Sequence, residues 1–571
     1  MRFSCGSGVL LTIFTPCSHS LLFCKMEVIL IERKFAPMAF FRRVRVAAAL
    51  AATFLSISAV SEANASRFQM SYLYNGRTSD YAQYVDRAGG ALQVVSPSYF
   101  DLKADGSLQI TDKLDTAFVN DMHEQGIKVV PFLSNHWDRN VGLQALKQRD
   151  ALAAQIVEAV KRYNLDGVNV DIENVTETSR DDYSDLVRML RERLPAGKEV
   201  SVAVGANPTG WTKGWPGSYD YAALAGSSDY LMLMAYDETS IGDSVPGPVA
   251  SIGYVEQSIR YALNYTSADK IVLGLPFYGR FWKTDGTISG DGIANSAVDA
   301  LVSRYGGTTA YDTKSESAVS TFTVGPDQTP PVVNYKTLTP GTYVIWHENE
   351  QSMKRKLELV EQYGLKGTGS WSLGQESGDV WSYMSLWVNG AYFEDAEGHW
   401  ARSEIASVFS KGWMTGTSPR LFGPTLSLTR AQAAAILTRA ILPGQQAGTG
   451  IASGFSDVPA SHWASGEIAA ARQAGIVDGV AAGKFEPDAA VTRAQMAAML
   501  ARALKPDAPL SAKAAFSDVH SDYWAYPFIQ ALAVQGALQG YEPGMFRPDY
   551  PIQRSEMAAL MDRLASSLPA N

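Results

Sequence analysis

Eight short runs of apolar, strand-forming residues alternate with helical patterns between residues 68 and 372, and this alternation limits the possible folds more than any other feature. Apolar residues recur at helical spacing in Asp150–Tyr163 and in Asp182–Arg193, each between two such runs. Eight strands joined by helical crossovers within about 320 residues are what a (β/α)8 barrel requires, the TIM-barrel fold of the α/β class. The eight runs are Phe68–Tyr74, Leu92–Ser96, Ile127–Leu133, Leu165–Ile172, Val200–Gly205, Tyr230–Ala235, Ile271–Pro276 and Gly367–Ser372.

A doubly wound open sheet is the alternative arrangement of the same pattern. Such a sheet usually has a glycine-rich phosphate-binding turn early in the chain, and the sequence has none there. Residues 284–342, between the seventh and eighth runs, are too many for a loop and contain strand-like and helical pieces of their own. We therefore predict a barrel domain over residues 66–390, with a small α+β insertion at about 284–342.

From residue 392 onward the sequence becomes rich in alanine and repeats one unit three times. Each copy contains a tryptophan followed by alanine, and Trp400, Trp463 and Trp524 lie 63 and then 61 residues apart. Each copy also ends with an arginine-containing pattern that is typical of a helix start. Three copies of one unit indicate a separate, mainly α-helical region, which we divide into repeats 391–443, 454–505 and 515–568.

Residues 38–65 have the three parts of a secretory signal peptide. Arg42–Arg45 provides a positive head, Val46–Val60 is apolar, and Ala63-Asn64-Ala65 is a small-x-small cleavage site. A retained anchor helix is the alternative, although the apolar run is short for a membrane span. We expect translation to start at Met38, so that residues 1–65 are an upstream segment and signal peptide. The mature chain is then secreted and has no integral membrane span.

Composition excludes several classes of protein. The three cysteines, Cys5, Cys17 and Cys24, all lie in the predicted upstream segment, so the mature chain would form neither disulfides nor zinc–thiolate sites. The seven histidines are scattered, and neither a metal nor an organic cofactor is expected. A net charge of −9 and the lack of a basic stripe argue against nucleic-acid binding.

A polar column in the fourth predicted strand is the strongest candidate for a catalytic site. Residues two apart on a strand face the same side, about 6.5 Å from each other, so Asn169, Asp171 and Glu173 project together. In a barrel strand this column faces the interior, and its last member lies at the C-terminal rim, where TIM-barrel active sites are built. The alternatives are a polar plug in the barrel core or a metal site.

The column also predicts the chemistry of its carboxyl groups. Buried polar groups cost several kcal/mol unless they are paired, and one carboxylate raises the pKa of another above it. We therefore expect Glu173 to hold a proton near neutral pH and to act as a general acid.

The segment Asp166–Glu173 resembles the D-x-x-D-x-D-x-E motif of family 18 glycoside hydrolases, which include chitinases and related N-acetylglucosaminidases. Met234–Asp237 is similar to the family's M-x-Y-D motif, Gly274–Arg280 to its seventh-strand motif, and Trp371 to the tryptophan that closes its eighth strand. The resemblance covers about Phe68–Trp387 and includes four motifs in the family's order.

The resemblance implies a retaining mechanism in which the substrate assists its own cleavage, an exception to the two-carboxylate scheme. Glu173 would protonate the glycosidic oxygen, and the sugar's N-acetyl carbonyl would then attack the anomeric carbon to give an oxazolinium ion. Asp171 would orient and stabilise that acetamido group, and Tyr236 would hydrogen-bond it, with Asp237 nearby. Water would open the intermediate with Glu173 as base.

Asn169 departs from the family pattern, which has Asp at this position in most members. We expect its amide to donate to Asp171, and we expect Asp171 to stay ionised with a lower pKa than in a paired-acid arrangement. Asn169, together with Trp346–Asn349, makes the chain more similar to the spore-cortex and peptidoglycan-active branch than to the classical chitinases.

Six residues are candidates for substrate binding. Trp371 would form the floor of the subsite that holds the reacting sugar. Packing beneath a loop is the alternative for the other aromatic candidates, and pairing with a buried carboxylate is the alternative for Arg280. The candidates are Trp371, Met234, Tyr72, Tyr278, Arg280 and Trp282.

The helix starts in the repeats place arginines in an unfavourable position. Thr429 and Gln432 have the spacing of a capping box, and the second copy repeats this pair. Arg430, Arg493 and Arg554 would then lie in first helical turns, where the helix dipole disfavours a cation. We therefore expect an anionic partner for all three. Internal pairing with an aspartate of the repeat is the alternative.

The repeats resemble S-layer homology modules over about residues 392–568. The resemblance implies that the anionic partner is an acidic, often pyruvylated, secondary polysaccharide attached to peptidoglycan. Other positions that match the modules, and that we predict to bind the wall polysaccharide, are Asp395, Asp457, Asp518, Trp400, Trp463 and Trp524.

Together these features predict a secreted glycosidase attached to the cell wall of a Gram-positive bacterium. It would cleave β-1,4 linkages in N-acetylglucosamine polymers, either peptidoglycan or chitin. The alternative is an inactive barrel that serves as a wall-bound glycan-binding protein or scaffold. Glu173 argues against this alternative, because lectin-like relatives usually lose the acid.

Overall fold

The structure, a computed structural model, describes residues 67–444, 450–505 and 515–568. The predicted signal peptide and the start at Met38 lie outside these residues. Within the described ranges, no helix combines the length and the apolar character that crossing a bilayer requires.

The strands in chain order are β1 (Phe68–Leu73), β2 (Val94–Pro97), β3 (Phe100–Leu102), β4 (Leu108–Ile110), β5 (Lys128–Val129), β6 (Phe132–Ser134), β7 (Gly167–Asp171), β8 (Glu199–Gly205), β9 (Tyr230–Met234), β10 (Ile271–Pro276), β11 (Tyr278–Lys283), β12 (Asp291–Ala294), β13 (Thr308–Asp312), β14 (Ser317–Val324), β15 (Val332–Val333), β16 (Lys336–Thr337), β17 (Gly341–His347) and β18 (Gly367–Trp371). The α-helices up to residue 388 are Tyr81–Asp86, Thr116–Glu124, Arg139–Lys147, Arg149–Arg162, Arg180–Arg193, Gly214–Gly217, Tyr221–Ser227, Ile252–Leu263, Asn295–Arg304, Glu350–Gln362 and Val380–Val388.

The main sheet closes into a ring because β5, at one end of the strand order, and β6, the third strand from the other end, belong to one interrupted segment. The strand order is β4-β3-β6-β7-β8-β9-β10-β18-β1-β2-β5, and only Val130 and Pro131 separate β5 from β6. Val130 N donates to Val95 O at 3.0 Å on one side, and Asn169 N donates to Pro131 O at 2.9 Å on the other. The ring of eight parallel strands confirms the (β/α)8 barrel and excludes the open, doubly wound sheet.

Pro131 also explains a difference from the predicted strands. Proline has no N–H to donate to a ladder and is rarely found inside a central strand. The predicted run Ile127–Leu133 is therefore two short strands, β5 and β6, instead of one.

Helices cover the outside of the barrel because their apolar residues recur every three or four positions. Arg149–Arg162 buries Leu152, Ile156 and Val160, and Arg180–Arg193 buries an equivalent row. The outward-facing Val168 of β7 is also fully buried. Complete burial of an aliphatic side chain of this size contributes about 2 kcal/mol.

The α+β insertion is larger than predicted. Its five-stranded sheet has the order β12-β11-β17-β14-β13, with antiparallel pairing throughout. Both β11 and β17 belong to it, so the insertion takes in Tyr278–Lys283 and Gly341–His347 as well as residues 284–342. The sequence analysis had counted these strands as part of the barrel, although β11 leaves the ring directly after β10.

The repeats form a closed group of three, in which the second helix of each copy packs against the first helix of the next. The third copy packs in this way against the first, so the group has no free end. The packed pairs are Arg430–Ile441 with Ser465–Gln473, Arg493–Leu504 with Tyr526–Val534, and Arg554–Leu564 with Arg402–Ser410.

A triangle of backbone hydrogen bonds lies where the three copies meet. Leu428 N donates to Ile552 O at 3.0 Å, Ile552 N to Val491 O at 3.0 Å, and Val491 N to Leu428 O at 2.9 Å. The three side chains are buried in the shared core of the repeats. Each copy thus supplies one vertex of the triangle, and the three copies fold as one unit.

Candidate active site

The polar column predicted on the fourth strand lies inside the barrel. Asn169 is fully buried; its Oδ1 accepts a hydrogen bond from Tyr72 Oη at 3.0 Å, and its Nδ2 donates to Ser201 Oγ at 2.9 Å. Tyr72 is on β1 and Ser201 on β8, so Asn169 connects strands around the ring. The amide was expected to donate to Asp171, but the partner of Nδ2 in the described residues is Ser201, and no hydrogen bond there joins Asn169 to Asp171.

Asp171 is a buried carboxyl group with an unpaired oxygen. Its side chain is 4% exposed, and its Oδ1 has no hydrogen-bond partner among the described residues. Burial raises the pKa of Asp171 to about 7, and the charge of His136 opposes this rise. Asp171 was expected to stay ionised, and this rise goes against that expectation, because loss of solvation favours the neutral carboxyl group. The comparison with a paired-acid arrangement remains a prediction.

Glu173 follows β7 at the C-terminal rim of the ring. Burial raises its pKa well above the usual range, and the negative charges of Asp171 and Asp237 raise it further. The sequence had assigned this rise to a neighbouring carboxylate, whereas burial is the larger cause. In either case the shift favours the protonated form of Glu173, which a general acid requires.

Asp237, Tyr278 and Arg280 form a hydrogen-bonded group beside the column. Asp237 Oδ1 accepts from Tyr278 Oη at 2.8 Å and from Arg280 Nη2 at 2.5 Å. Arg280 and Tyr278 are largely buried, whereas the Asp237 side chain is 43% exposed. Arg280 thus pairs with a carboxylate, which was the alternative to its predicted role in substrate binding. Tyr278 likewise contacts Asp237.

Tyr236 enters the same region from the end of β9 and packs near Tyr278, with 6.1 Å between ring centroids. Gly274 on β10 makes room for it, because a Cβ at that position would lie 3.0 Å from Tyr236 Cε1. Met234 is buried at the end of β9. The glycine in the seventh strand is therefore required by close packing.

Trp371 lies at the end of β18 on a group of aromatic rings. Its ring centroid is 5.1 Å from that of Tyr72, 5.3 Å from Tyr74 and 5.8 Å from Phe132. Trp371 remains partly exposed, so one side of it is open to a ligand. Tyr72 is 1% exposed and lies beneath it, so Tyr72 supports the site and does not contact substrate directly.

Trp282 is also buried, contrary to its predicted role in substrate binding. Its exposed fraction is 2%, and its Nε1 donates at 2.6 Å to the backbone oxygen of Asp243, in the loop that follows β9. Packing beneath a loop, which was the alternative interpretation, is what the structure shows.

Asn135 is a site residue that the sequence analysis missed. Its Oδ1 accepts from Glu173 N at 2.8 Å, and its Nδ2 donates to Glu173 O at 2.8 Å. Tyr183 Oη similarly accepts from Ile172 N at 3.2 Å. Both side chains fix the backbone around Glu173. A polar residue directly after an apolar strand was the available signal for Asn135, whereas Tyr183 gave none.

The arginines of the repeats lie between neighbouring copies and are 5–8% exposed. Arg430 Nε donates to Phe485 O, Arg493 Nε to Phe546 O, and Arg554 Nε to Phe422 O, each at 2.8 Å. The acceptors are backbone carbonyl groups, so these contacts are not the pairing with a repeat aspartate that was the alternative to an anionic ligand. Loss of solvation lowers the pKa of all three, and that of Arg554 to about 10.

The ion pairs of the three arginines differ. Arg493 Nη1 lies 2.7 Å from Glu556 Oε1. Within the described ranges, Arg430 and Arg554 have no carboxylate at salt-bridge distance. Among the described residues these two buried cations therefore make no direct ion pair, although Glu486 near Arg430 and Asp395 near Arg554 oppose the fall in their pKa values.

The aspartates Asp395, Asp457 and Asp518 of the repeats have a structural role that the sequence did not reveal. Asp395 accepts from Phe422 N at 2.8 Å and Gly423 N at 2.7 Å. Asp457 and Asp518 make the same contacts in the other copies, at 2.8–3.1 Å and 2.7–2.8 Å. Their carboxylates bind backbone amides of the turn that precedes the second helix, instead of being free for the wall polysaccharide.

The tryptophans of the repeats are exposed. The exposed fractions of Trp400, Trp463 and Trp524 are 63%, 44% and 53%. A groove of about 440 Å³ brings Trp400 near Arg493, Tyr541 and Glu556.

The capping boxes predicted at Thr429 and in the second copy are confirmed. The third copy keeps the second half of the box, in which Glu556 accepts a hydrogen bond from Gln553 N at 2.8 Å.

Comparisons with known families agree with these two regions. Glycosyl hydrolases family 18 matches residues 70–376, and the S-layer homology domain matches residues 392–434, 454–497 and 515–558. The putative sporulation-specific glycosylase YdhD of Bacillus subtilis is 31% identical over 229 residues, which cover 39% of this chain and 51% of that protein. The cortical fragment-lytic enzyme of Bacillus anthracis is 24% identical over 298 residues, 50% of this chain and 65% of that enzyme.

A solved structure supports the fold. The spore cortex-lytic enzyme SleL of Bacillus cereus superposes with a TM-score of 0.50 at 20% identity, over 56% of this chain and 74% of that one. The matched residues span about half to two thirds of the length of the curated relatives. Because the family 18 match covers more than half of the 571 residues and coincides with the barrel, this chain belongs to the glycosyl hydrolases of family 18, and it carries three S-layer homology domains.

Proposed function

We propose that the protein is a cell-wall-attached glycosidase that cleaves β-1,4 linkages next to N-acetylglucosamine, with retention of configuration and with assistance from the substrate. The observation that carries this proposal is the pair of buried carboxyl groups at the C-terminal rim, Asp171 and Glu173, whose pKa values are both raised by burial. Family membership adds the substrate class, because the relatives are named as glycosylases and cortex-lytic enzymes.

In the proposed reaction, Glu173 donates its proton to the glycosidic oxygen. The N-acetyl carbonyl of the same sugar attacks the anomeric carbon, and the leaving chain departs with the proton. The unpaired Oδ1 of Asp171 suits a ligand that brings a hydrogen-bond donor, such as the acetamido N–H. Glu173 then accepts a proton from water as the water opens the oxazolinium ion. This route needs no second carboxylate placed as a nucleophile.

The surrounding residues have supporting roles in this proposal. Trp371 offers an apolar face to the sugar ring, with Tyr72 packed beneath it. Tyr236 contributes a buried hydroxyl near the acetamido group. Arg280 holds the Asp237 carboxylate beside Tyr278, which keeps a negative charge close to Glu173 and so favours its protonated form.

Peptidoglycan is the substrate we favour over chitin. The sequence relatives include enzymes named for spore-cortex fragments and for sporulation, and the S-layer homology domains would hold the enzyme against a bacterial wall. Both polymers contain the acetamido sugar that the proposed mechanism requires.

A thiazoline that mimics the oxazolinium ion tests the mechanism. We expect it to inhibit the release of oligosaccharides from peptidoglycan and from chitin oligomers, because the proposed site binds this ring at Asp171 and Trp371. Mass spectrometry of the products identifies the bond that is cut. Full activity at saturating thiazoline would contradict substrate assistance, and no product from either polymer would contradict the enzyme itself.

We also propose that the repeats bind an acidic polysaccharide of the wall. Arg430 and Arg554 are buried without a direct ion pair among the described residues, and unpaired buried charge is costly. An anionic ligand in the grooves between copies would reduce that cost. The exposed tryptophans next to the grooves offer flat apolar surfaces to sugar rings.

Exposed tryptophans allow this binding to be tested without disturbing the fold. We expect the triple variant Trp400→Ala, Trp463→Ala and Trp524→Ala to lose at least about tenfold in affinity for purified cell walls, since removal of a buried aromatic contact typically costs 1–2 kcal/mol or more. Tyr265→Ala, an exposed aromatic on the barrel, is the matched control and should bind as the unaltered protein does. Unchanged retention of the triple variant in a wall sedimentation assay would overturn the role of the tryptophans.

A further inference from the structure

The segment Ser134–Trp137 leaves the barrel next to the catalytic column in an unusual conformation. Ser134 is the register partner of Asp171 across β6 and β7, so the residues that follow it lie beside the acid pair. His136 and Trp137 have φ values of +46° and +64°. Two consecutive non-glycine residues in the left-handed region are uncommon, and such conformations persist where the surroundings hold them in place.

Polar contacts hold this segment around the column. His136 N donates to Ser134 Oγ at 3.0 Å, and Asn174 Nδ2 donates to Trp137 O at 2.8 Å. Between them, Asn135 makes its two hydrogen bonds to the backbone of Glu173. The segment is thus tied to β7 and its continuation on both sides of Glu173, and the position of the His136 ring is fixed with it.

His136 brings a titratable cation to this place. Its Nε2 lies 2.9 Å from Asp101 Oδ1. This contact raises the pKa of His136 above its ordinary value and outweighs the opposing effect of burial, while Asp171 raises the pKa slightly further and Lys113 lowers it slightly. The titratable groups that interact electrostatically with Asp171 are Glu173, His136 and several buried tyrosines, namely Tyr72, Tyr183, Tyr219 and Tyr236. Of these, only His136 lowers the pKa of Asp171.

We infer that His136, held by Asp101, is a positioning residue that keeps a positive charge beside Asp171 and thereby favours the carboxylate form that the reaction uses. This inference rests on the proposed function, because it concerns the ionisation of a group in the proposed site. His136 touches neither the reacting bond nor the acetamido group, and it acts through Asp171. None of the family motifs in the sequence includes it.

The pH dependence of kcat/KM tests this inference. The acid side of the profile reports the loss of the Asp171 carboxylate, and the alkaline side reports the loss of the Glu173 proton. Without a cation beside it, Asp171 has a higher pKa, so a larger fraction of it is protonated at a given pH. We expect His136→Gln to move the acid side to higher pH, with a loss of about fivefold at pH 6 and little change at pH 8.

Three further variants separate charge from structure. His136→Lys restores a cation and should recover most of the activity at pH 6. Asp101→Asn removes the partner that keeps His136 protonated and should shift the profile in the same direction as His136→Gln, by less. His123→Gln is the matched control, because His123 pairs with Asp166 at 2.6 Å just before β7, at the opposite end of the barrel. It should leave the profile unchanged.

The outcomes distinguish this inference from the proposed function. If the unaltered protein releases product and His136→Gln reduces activity equally at all pH values, or has no effect, the inference is overturned and the proposed function stands. If the unaltered protein releases no product from either polymer, the proposed function fails first. A shift that His136→Lys does not reverse would also reject the charge-based role.

Discussion

Glu173→Gln should reduce kcat/KM on peptidoglycan fragments by about a thousandfold, because a positioned general acid typically contributes a hundredfold to ten-thousandfold. Glutamine keeps the size of the side chain and removes the proton that the leaving oxygen needs. Burial already favours the neutral form of Glu173, so the substitution should disturb the fold little. Reducing-end release, measured with stopped time points, gives the rate.

A buried glutamate at the other end of the barrel provides the matched control. Glu199 begins β8, is 6% exposed and accepts from Tyr230 Oη at 2.8 Å. Burial raises its pKa as well, so Glu199→Gln repeats the chemical change away from the rim. We expect its kcat/KM to stay within about threefold of the unaltered protein. Equal activity of Glu173→Gln and the unaltered protein would refute the catalytic assignment and favour a glycan-binding barrel.

Arg554→Ala should open the closed group of repeats. Arg554 belongs to the third copy, yet its guanidinium donates to Phe422 O and Thr415 O of the first, and it lies 4.5 Å from the Phe422 ring centroid. The alanine variant leaves both carbonyl groups without their donor in a buried place. We expect a local destabilisation of about 3 kcal/mol, because two buried carbonyl groups without donors cost more than is regained by removing an unpaired charge.

Hydrogen exchange measured by mass spectrometry can locate this effect in the full chain. Amides of Leu428, Val491 and Ile552, at the meeting point of the copies, should exchange faster by about a hundredfold, which corresponds to that loss of local stability. The barrel strands should be unaffected. Arg502→Ala is the control, since Arg502 is 31% exposed, pairs with Asp478 at the surface and should cost at most about 1 kcal/mol. Unchanged protection in Arg554→Ala would contradict a closing role for this arginine.

These contacts also limit how wall binding can be studied. Substitution of all three repeat arginines would remove both the candidate anion contacts and the hydrogen bonds between copies. A loss of wall binding in such a variant would therefore not identify the binding residues. The exposed tryptophans avoid this problem, because their side chains carry little of the packing.

The barrel could be predicted because strand periodicity is a local property of the sequence. The eight runs each produce a strand near the expected residues, and the alternation with helices gives the parallel order. The extent of the insertion could not be obtained in this way. Tyr278–Lys283 (β11) follows β10 after a single residue, and its sequence pattern does not distinguish it from a barrel strand. What assigns it to the second sheet is its long-range antiparallel pairing with β12 and β17.

In the site, the spacing on β7 predicted which side chains share a face, but not what each one touches. Asn169 could have met Asp171 along the strand. Tyr72 and Ser201 bind it instead, from β1 and β8. The effect of burial on the pKa of Asp171 was missed for the same reason, because burial depends on the whole ring and not on the neighbouring residues in the strand. Aromatic residues such as Trp282 gave no local sign of whether they face a cleft or a core.

The hydrogen-bond triangle at Leu428, Val491 and Ile552 fixes the copy number of the C-terminal units. In an open array of repeats, gene duplication or deletion can change the number of units, and each remaining unit can still pack against a neighbour. Here the three residues already use one another's N–H and C=O groups, so a fourth unit would find no free partner in the triangle. Deletion of one unit would leave one N–H and one C=O without a hydrogen bond. We therefore expect the strength of anchoring to change in evolution through substitutions within the three units, or through the addition of a second complete set of three.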